Sequence, residues 1–551
     1  MGLTQVTEVP VDCPSDEQPQ PPRQTSAARF WLLSVGICIG LFLSIIDSSI
    51  VATALYTIGT EFHDLPNVNW IALAYTLAYL GCAVAFARLS DVIGRRNAFY
   101  LAYFLFLSFS MGSGFAQNIQ QIIALRTLQG IGGSGLYSLT MIILPEMCPP
   151  SHLKFIGSLI GIVITISGVL GPVLGGLLTQ FTGWRWIFWI NGPISAISAG
   201  ILWLCWPSEE HYIPAKRLLW KNFDYFGTFL IIAAAVLVVF AFQKAGTHEL
   251  DTFNRAAFIA PITIGLLCWI AVFGWAFLAH KGKLKPDLVP ALPFDLFRNR
   301  FYTSAALTTL LIGFPYLQII FTFPTRAQIV SGKSVLVSGL ELLPMIGGSA
   351  LGSVLGGMIN GKKNFLFETI ATGCCLTLLG CGLLSTVHGK ADDAKALGFL
   401  VFAGLGFGLS TAAATMLVSF EASIANAAPA HGILAQMRIL GGSLGIATAS
   451  IILRNKLKMT GMMSRGGGKL TTDELKGGPN HDIERAYSAA FRTDMTISTI
   501  ICGIAVLVSI LGFRRTRVDM NEQRAKLFRE EQVRRAAVNV SSNENMDSTR
   551  K

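Results

Sequence analysis

Long apolar stretches separated by short polar ones recur along almost the whole chain. About 20 consecutive apolar residues suffice for an α-helix to cross a bilayer, and the pattern predicts fourteen such spans. An even number of spans places both termini on the same side of the membrane. The predicted spans cover residues 30–53, 68–89, 97–116, 121–144, 153–179, 185–206, 224–242, 257–279, 300–323, 335–359, 365–387, 396–419, 431–453 and 493–513.

The distribution of Lys and Arg between the spans predicts a cytoplasmic N-terminus. Cytoplasmic loops of membrane proteins carry an excess of these residues, and the loop after the second span holds Arg88, Arg95 and Arg96. The loops at 59–67 and 117–120, on the opposite side, hold neither Lys nor Arg. The long segment 454–492 is basic and disagrees, but its acidic residues partly offset that charge.

Composition agrees with a polytopic membrane protein. Hydrophobic residues make up 52% of the chain and charged residues only 14%, against about 25% charged in soluble domains. The net charge of +11 sits mainly in short loops and the C-terminal tail, where membrane orientation and anionic lipid explain it, so we expect no nucleic-acid partner. The ten cysteines show no metal-ligand spacing with histidines, so we expect no metal and no other cofactor.

The spans and polar connectors suggest five segments. Residues 1–28 are rich in Pro, Gln and Ser, which predicts a disordered cytosolic tail rather than a signal peptide. Residues 29–206 form a first six-helix bundle, 207–299 hold linkers and two inserted helices, and 300–513 form a second six-helix bundle. Residues 514–551 are predicted to be a cytosolic C-terminal tail.

The fifth span carries a regular pattern of small residues. Glycine recurs every seven residues from Gly161 to Gly175, and such residues share a helix face that lets another backbone approach closely. A packing seam or a proline kink in any membrane protein could show the same spacing. The residues of this candidate motif are Gly168, Gly171, Pro172, Gly175 and Gly176.

Together with the stretch 184–191 (WRWIFWIN) that follows it, this motif resembles the antiporter signature of the major facilitator superfamily, in its fourteen-helix drug:proton antiporter branch. The resemblance implies an all-α membrane fold of two six-helix bundles plus two inserted helices. It also implies a small-molecule substrate bound between the halves near the midplane of the lipid bilayer.

Two ionisable residues lie inside predicted spans at matching depth. Asp47 in the first span and Arg126 in the fourth both fall on the outer side of their span centres, counted at about 1.5 Å per residue. A charge there costs several kcal/mol unless it faces a partner or a cavity. A carboxylate that takes up a proton when substrate engages its arginine can couple the two events. Asp47 and Arg126 are therefore candidate proton-coupling residues, with a purely structural pair as the alternative.

The residues after Arg126 extend this interpretation. Residues 126–134 (RTLQGIGGS) resemble the fourth-helix motif that the family uses in proton transfer, with Gln129, Gly130 and Gly132 as its candidate residues. The stretch around Asp47 is similar to the first-helix signature of the branch, although Tyr56 replaces its final proline.

Residues 91–96 (DVIGRR) resemble the loop signature of the superfamily between its second and third helices, with Asp91, Gly94, Arg95 and Arg96 as candidate inner-gate residues. The resemblance implies that Asp91 meets the start of the thirteenth helix near residues 431–434 and latches the inner gate. Ala87 stands where the signature begins with glycine, so we expect looser packing there. A solvated basic turn is the alternative.

Arg438 and Glu341 are candidate residues of a substrate cavity in the second half. Arg438 lies deep in the thirteenth span, whereas Glu341 and Glu368 lie near span ends and could instead extend toward water. The glycines of residues 352–357 on the tenth span are the expected packing partner of the fifth-span glycine face.

Function follows from what the chain has and lacks. The sequence contains no Gly-x-x-x-x-Gly-Lys-Ser/Thr phosphate loop, which leaves the proton gradient as the energy source. Residues 321–330 and 342–344 resemble fungal members that export mycotoxins and other secondary metabolites. We therefore expect a monomeric, non-enzymatic plasma-membrane efflux pump, of the multidrug-resistance type, that exchanges an amphipathic organic compound for a proton by alternating access.

Three alternatives remain open. One related branch imports siderophores. Another moves basic amino acids into vacuoles, and membership of that branch would place the protein in the vacuolar membrane. A non-transporting receptor with this fold is disfavoured, because a scaffold has no need of Asp47 or Arg126 within lipid.

Overall fold

The structure is a computed structural model. It describes residues 27–51, 54–64, 68–148, 153–206, 219–247, 256–282, 288–360, 364–423, 426–459 and 481–514. The predicted N-terminal tail up to residue 26 and the C-terminal tail from residue 515 lie outside the described residues.

Regular structure in these ranges is helical, apart from one isolated parallel β-bridge between Phe223 and Val289. Short 3₁₀ turns occur at Trp220–Asn222, Lys390–Asp392 and Ile510–Gly512. The α-helices are α1 (Ala27–Ile50), α2 (Leu55–Glu61), α3 (Asn69–Ile93), α4 (Arg95–Gly114), α5 (Ile119–Met147), α6 (Leu153–Phe181), α7 (Trp186–Trp189), α8 (Asn191–Cys205), α9 (Tyr225–Thr247), α10 (Ala256–His280), α11 (Phe294–Arg298), α12 (Arg300–Ile329), α13 (Val335–Leu340), α14 (Leu343–Ile359), α15 (Leu366–Leu384), α16 (Asp393–Glu421), α17 (Ala427–Met459) and α18 (His481–Ser509).

Twelve helical segments of the described chain are long and apolar enough to cross a membrane. This confirms an all-helical, multi-pass membrane protein. Helices α4 and α5, with 20 and 29 residues, do not reach the same combination of length and hydropathy. The predicted count of fourteen spans is therefore not confirmed.

The last two spans are longer than the hydropathy pattern predicted. The thirteenth was placed at 431–453 and the fourteenth at 493–513, whereas α17 runs to Met459 and α18 begins at His481. In the first turns of α18, Ile483, Ala486 and Ala490 are buried at the spacing of one helix face. Charged residues on the other face lower the local hydropathy, which is why the pattern missed these turns.

Helices α14 and α16 approach each other closely, because each has glycines that face the backbone of the other. Gly348 and Gly352 of α14 meet the backbone of α16, and Gly404 and Gly408 of α16 meet the backbone of α14. In the absence of a hydrophobic drive between helices in lipid, such close van der Waals packing is a main source of helix association. The glycines of residues 352–357 thus serve mainly the α14–α16 contact.

Several helix contacts join the two predicted bundles. Helix α17 packs on α3 and α5, and α6 packs on α14 and α16. The inserted helix α9 contacts both α3 and α17, while α10 packs mainly on α9 and is largely exposed along its length. The division into two six-helix bundles stays a prediction.

We expect Gly408→Ala to destabilise the protein, because an added Cβ would overlap the carbonyl oxygen of Ser349. Overpacking of this kind costs about 1–3 kcal/mol. Gly398→Ala on the same helix is the matched control, since no atom lies within 4 Å of its added Cβ. Thermal unfolding of the detergent-solubilised variants measures the difference. Equal unfolding midpoints would contradict the close α14–α16 approach.

Candidate functional site

A buried ion pair joins α1 to α5. Nη1 of Arg126 donates to Oδ2 of Asp47 and, at 2.9 Å, to Oε1 of Gln129. Nη2 of Arg126 donates to the backbone oxygen of Asp47 at 3.2 Å. Both charged side chains are 0% exposed. The two ionisable residues that the sequence placed at one depth are therefore direct partners.

Glycines of α5 make room for this pair. A Cβ on Gly130 would lie 2.5 Å from the backbone oxygen of Tyr75, and one on Gly132 would overlap the backbone nitrogen of Phe106. Helices α3 and α4 therefore press directly on α5 along the two turns that follow Arg126. Close backbone contact excludes water and lipid from the guanidinium, which strengthens its interaction with Asp47.

Two polar residues that the sequence analysis did not select complete the surroundings of Asp47. Nδ2 of Asn191 donates to Oδ1 of Asp47 and to Oγ of Ser110, each at 2.9 Å. Oγ of Ser110 donates in turn to the backbone oxygen of Phe188 at 3.0 Å. Asn191 ends the aromatic stretch 184–191, and its position as an amide inside an apolar span was the available signal.

A row of tyrosines runs from the ion pair toward the second half. The guanidinium of Arg126 lies 4.2 Å from the ring centre of Tyr75, a cation–π distance. The ring centres of Tyr75 and Tyr79 are 5.6 Å apart, and those of Tyr79 and Tyr137 are 5.8 Å apart. The hydroxyl of Tyr137 accepts a hydrogen bond from Nη1 of Arg438 at 3.1 Å. The structure thereby connects Arg126 to Arg438 through aromatic contacts.

Two donors along this row have no hydrogen-bond partner among the described residues. They are Nη2 of Arg438 and Nε2 of Gln129. Both side chains are buried, with Arg438 6% exposed and Gln129 0% exposed. Buried polar groups are nearly always hydrogen-bonded, so these donors are available to a ligand or to a different arrangement of the helices.

The inner-gate motif forms a network of its own. Oδ1 of Asp91 accepts from Nη1 of Arg95 at 2.7 Å, and Arg95 also makes two bonds of 2.9–3.0 Å to the carboxylate of Glu146. Gly94 has a φ of 90°, a conformation that favours glycine, and it separates α3 from α4. Arg96 lies 5.7 Å from the ring centre of Trp203.

In the described chain Asp91 bonds to arginines, including Nη1 of Arg88 at 3.3 Å. The implied latch between Asp91 and the thirteenth helix stays a prediction. The expectation of loose packing at Ala87 was wrong. A Cβ added to Gly432 of α17 would lie 2.8 Å from Cβ of Ala87, so the glycine required for close approach stands on the opposite helix.

Arg88 reaches instead to the segment that follows the inserted helices. Its Nη2 donates to the backbone oxygen of Pro290 and its Nε to that of Ala291 at 3.4 Å. Asp224, at the start of α9, accepts from the backbone N–H of Ala291 at 3.0 Å and from Nε1 of Trp275 at 3.1 Å. We call residues 288–293 the strap. The sequence analysis selected neither Asp224 nor this role for Arg88.

The fifth-span motif, on α6, faces different helices at different heights. Gly161 opposes Ser353 of α14, as expected, but Gly168 opposes Ile320 of α12 and Gly171 opposes Ser49 of α1. At Gly168 and Gly171 the glycine face therefore meets α12 and α1 instead of the tenth span. The backbone oxygen of Gly175 accepts from Thr179, Gly176 continues the helix, and the ring of Pro172 lies outside the described residues.

Glu341 lies apart from Arg438 in a separate charge cluster. Nζ of Lys333 bonds to Glu341 and, at 2.6 Å, to Oδ2 of Asp393. Nη1 of Arg326 donates to Oδ1 of Asp393 at 3.0 Å. The four formal charges sum to zero. Glu341 and Arg438 thus have different partners among the described residues, and their sharing of a substrate cavity stays a prediction.

A cavity of about 180 Å³ lies between α12, α17 and α18. Asp494 of α18 lines this cavity and is 2% exposed, and its Oδ1 has no hydrogen-bond partner in the described chain. Asp494 was not among the predicted site residues, because the predicted span began at residue 493 and so placed the carboxyl at the membrane surface.

We expect Asp224→Ala to release the strap. The change leaves the N–H of Ala291 and Nε1 of Trp275 without their acceptor, which costs about 1–3 kcal/mol for each buried donor. Limited trypsin digestion of the detergent-solubilised protein should then cut faster after Lys281 and Lys283.

Asp295→Asn is the matched control, since this carboxylate is 63% exposed and pairs only with His280 among the described residues. Equal digestion rates for Asp224→Ala and the wild type would show that Asp224 does not hold the strap.

Comparison with known proteins provides independent evidence on the family. Residues 37–446 match the family model described as Major Facilitator Superfamily. The MFS-type transporter FPY5 of Fusarium mangiferae is 31% identical over 440 residues, which are 78% of this chain and 73% of that protein. The efflux pump FUS6 of Gibberella fujikuroi is 30% identical over 80% of this chain and 78% of the pump. Multidrug resistance protein 3 of Bacillus subtilis is 29% identical over 68% of this chain and 70% of that protein.

Solved structures agree at the level of the fold. A bacterial homologue of the human lysosomal transporter Spinster, inward-facing and unoccupied, superposes with a TM-score of 0.51 at 15% identity. The superposition covers 89% of this chain and all of the homologue. The human organic anion transporter MFSD10 gives a TM-score of 0.50 at 13% identity, over 86% of this chain and 99% of that one.

Proposed function

The chain belongs to the Major Facilitator Superfamily, and from that premise we propose that it exports an amphipathic organic compound in exchange for a proton. Its relatives are fungal transporters and efflux pumps, so the chain is a multi-pass membrane transporter and not an enzyme. The coupling ion, the direction of transport and the class of substrate are the proposed part.

The Asp47–Arg126 pair carries the proposal. Both side chains are wholly buried, and ionisable residues within spans are costly enough to indicate a function. Breaking such a pair by removing one partner costs about 3–5 kcal/mol. Protonation of Asp47 cancels the negative charge and so deprives Arg126 of its charged partner, much as a substitution of Asp47 would. Proton binding at this site is therefore coupled to the arrangement of α1 and α5.

The surroundings of the pair suggest how the freed arginine is used. With Asp47 protonated, Arg126 keeps its bond to Gln129 and its contact with Tyr75. Nδ2 of Asn191 can stay on the carboxyl through an oxygen that carries no proton. The site therefore has two charge states, and the contact between α1 and α5 is weaker when Asp47 is protonated. A substrate that binds more tightly to one of these states changes the proton affinity of Asp47, and proton binding changes the substrate affinity by the same factor.

The tyrosine row suggests how the second half takes part. The bond from Arg438 to Tyr137 joins α17 to α5, helices assigned to different predicted bundles. Rocking of the bundles would break this bond and leave Arg438 with both Nη groups to offer to a substrate. Loss of a hydrogen bond to a charged group costs about 1.5–3 kcal/mol, a size suited to a reversible transition.

We propose a topology of fourteen spans, with α4 and α5 crossing the bilayer beside the twelve apolar segments. In this arrangement residues 29–206 and 300–513 are the two bundles, residues 207–299 hold the inserted pair, and both tails are cytosolic. Arginines around the junction of α3 and α4 support a cytoplasmic position for the inner gate. A monomer in the plasma membrane is the working assignment.

Siderophore uptake and vacuolar transport of basic amino acids are the competing functions. Each predicts net movement of cargo in a different direction or into a different compartment. Fungal efflux pumps among the relatives favour export.

We expect Asp47→Asn to abolish uphill transport, and thermal unfolding must verify that the variant is folded because the change leaves Arg126 without its charged partner. The amide keeps the shape of the carboxyl but cannot take up a proton. The measurement is dye or toxin accumulation in proteoliposomes with an imposed pH gradient. Glu61→Gln is the matched control, since Glu61 forms an ion pair with Arg185 that is about 40% exposed on both sides.

Wild-type protein and Glu61→Gln should concentrate cargo against its gradient, and Asp47→Asn should only equilibrate it. Transport that ignores the pH gradient would contradict proton coupling. Uphill transport by Asp47→Asn would contradict the assignment of this residue.

A further inference from the structure

The cavity between α12, α17 and α18 has the size and the lining of a binding site. Its volume of about 180 Å³ is more than ten times the roughly 10–15 Å³ that admits one water molecule. Its walls include Phe321 from α12 and Tyr487 and Phe491 from α18. Aromatic walls with a few polar groups are typical of sites for small organic ligands.

Gln318 lies within side-chain hydrogen-bonding reach, but no positively charged group of the described chain pairs with Asp494. Its side chain is 2% exposed, and neither an ion pair nor a hydrogen bond to Oδ1 is present in the described part of the chain. Asp494 is the fourteenth residue of α18, about 20 Å from the start of that helix at 1.5 Å per residue. A carboxyl this deep in an apolar helix is an expensive feature unless something binds to it.

The other charged group on the cavity does not compensate Asp494. Arg326 lines the same space, but its two Nη groups donate to Asp393 and to the backbone oxygen of Gly389. Lys333 and Glu341 complete a cluster of four charges that sum to zero. Helix α17 contributes to the wall only neutral side chains, among them Ser450.

We propose that this cavity binds an amphipathic organic cation whose charge pairs with Asp494. The rings of Phe321 and Phe491 would hold the apolar body, and the π-face of an aromatic ring also attracts a cation. The inference deepens the proposed function by naming a class of substrate and rests on it for the transport role. Binding itself requires no proton gradient.

The test is a binding titration of the full-length protein in nanodiscs by saturation-transfer NMR. The probe is benzyltrimethylammonium, a permanent cation with one aromatic ring, and neopentylbenzene is its neutral isostere. Protein-free nanodiscs give the background from partition into lipid. Wild-type protein should bind the cation saturably and the neutral isostere no better than the background.

Asp494→Asn should weaken binding of the cation about tenfold or more, the scale of a lost charge-assisted contact. Asp494→Glu keeps the charge and should retain binding. Glu484→Gln is the matched control, because it removes one acid from the same helix at a side chain that is 27% exposed. Thermal unfolding verifies that each variant is folded, and Asp494→Asn should remain so because it removes an uncompensated charge.

Equal affinity of wild type and Asp494→Asn for the cation would overturn the proposal. Binding of the neutral isostere as tightly as the cation would also overturn it, because the cavity would then be a site for apolar molecules. The titration is done without a pH gradient, and the transport assay compares wild type with Asp47→Asn without changing Asp494. Loss of proton coupling therefore leaves the result of the binding titration intact, and loss of cation binding leaves the test of Asp47 intact.

Discussion

The cost of burying a charge without water dominates the first half of this molecule. Arg126 always stays charged, and its surroundings are arranged to satisfy it with Asp47, Gln129 and the ring of Tyr75. The small residues after it on α5 allow that arrangement, because only glycine permits neighbouring backbones so near. The same closeness makes the pair sensitive to any change in charge. Stability and a capacity for switching therefore come from one set of contacts.

Sequence reasoning found the parts of this site that carry charge and missed those that do not. Asp47 and Arg126 stood out because ionisable residues are rare in apolar spans. Asn191 and Tyr75 are neutral or aromatic, and such residues are common enough in membrane helices to give no signal alone. Asp494 is charged but was missed for another reason, since polar residues on one face of α18 moved its predicted start inward. The fold class was readable from hydropathy, whereas the partners of each side chain were not.

Ala87 shows where a motif compared position by position gives a wrong expectation. Its methyl group in place of glycine suggested a wider separation from the thirteenth span. The separation is instead set jointly with Gly432 of α17, which supplies the space. How closely two helices approach depends on the residues of both facing surfaces, so a single position in the sequence does not determine it.

The strap gives the inserted helices a physical connection to the inner loop. Asp224 ties Trp275 of α10 to the strap, and the strap holds Arg88 beside Asp91. Because α10 turns most of its surface outward, its tilt would follow the thickness and lateral pressure of the surrounding bilayer. A change of tilt would then pass through Trp275, Asp224 and the strap to Arg88 near the end of α3. An event at the outward face of α10 would thus be felt at the junction of α3 and α4.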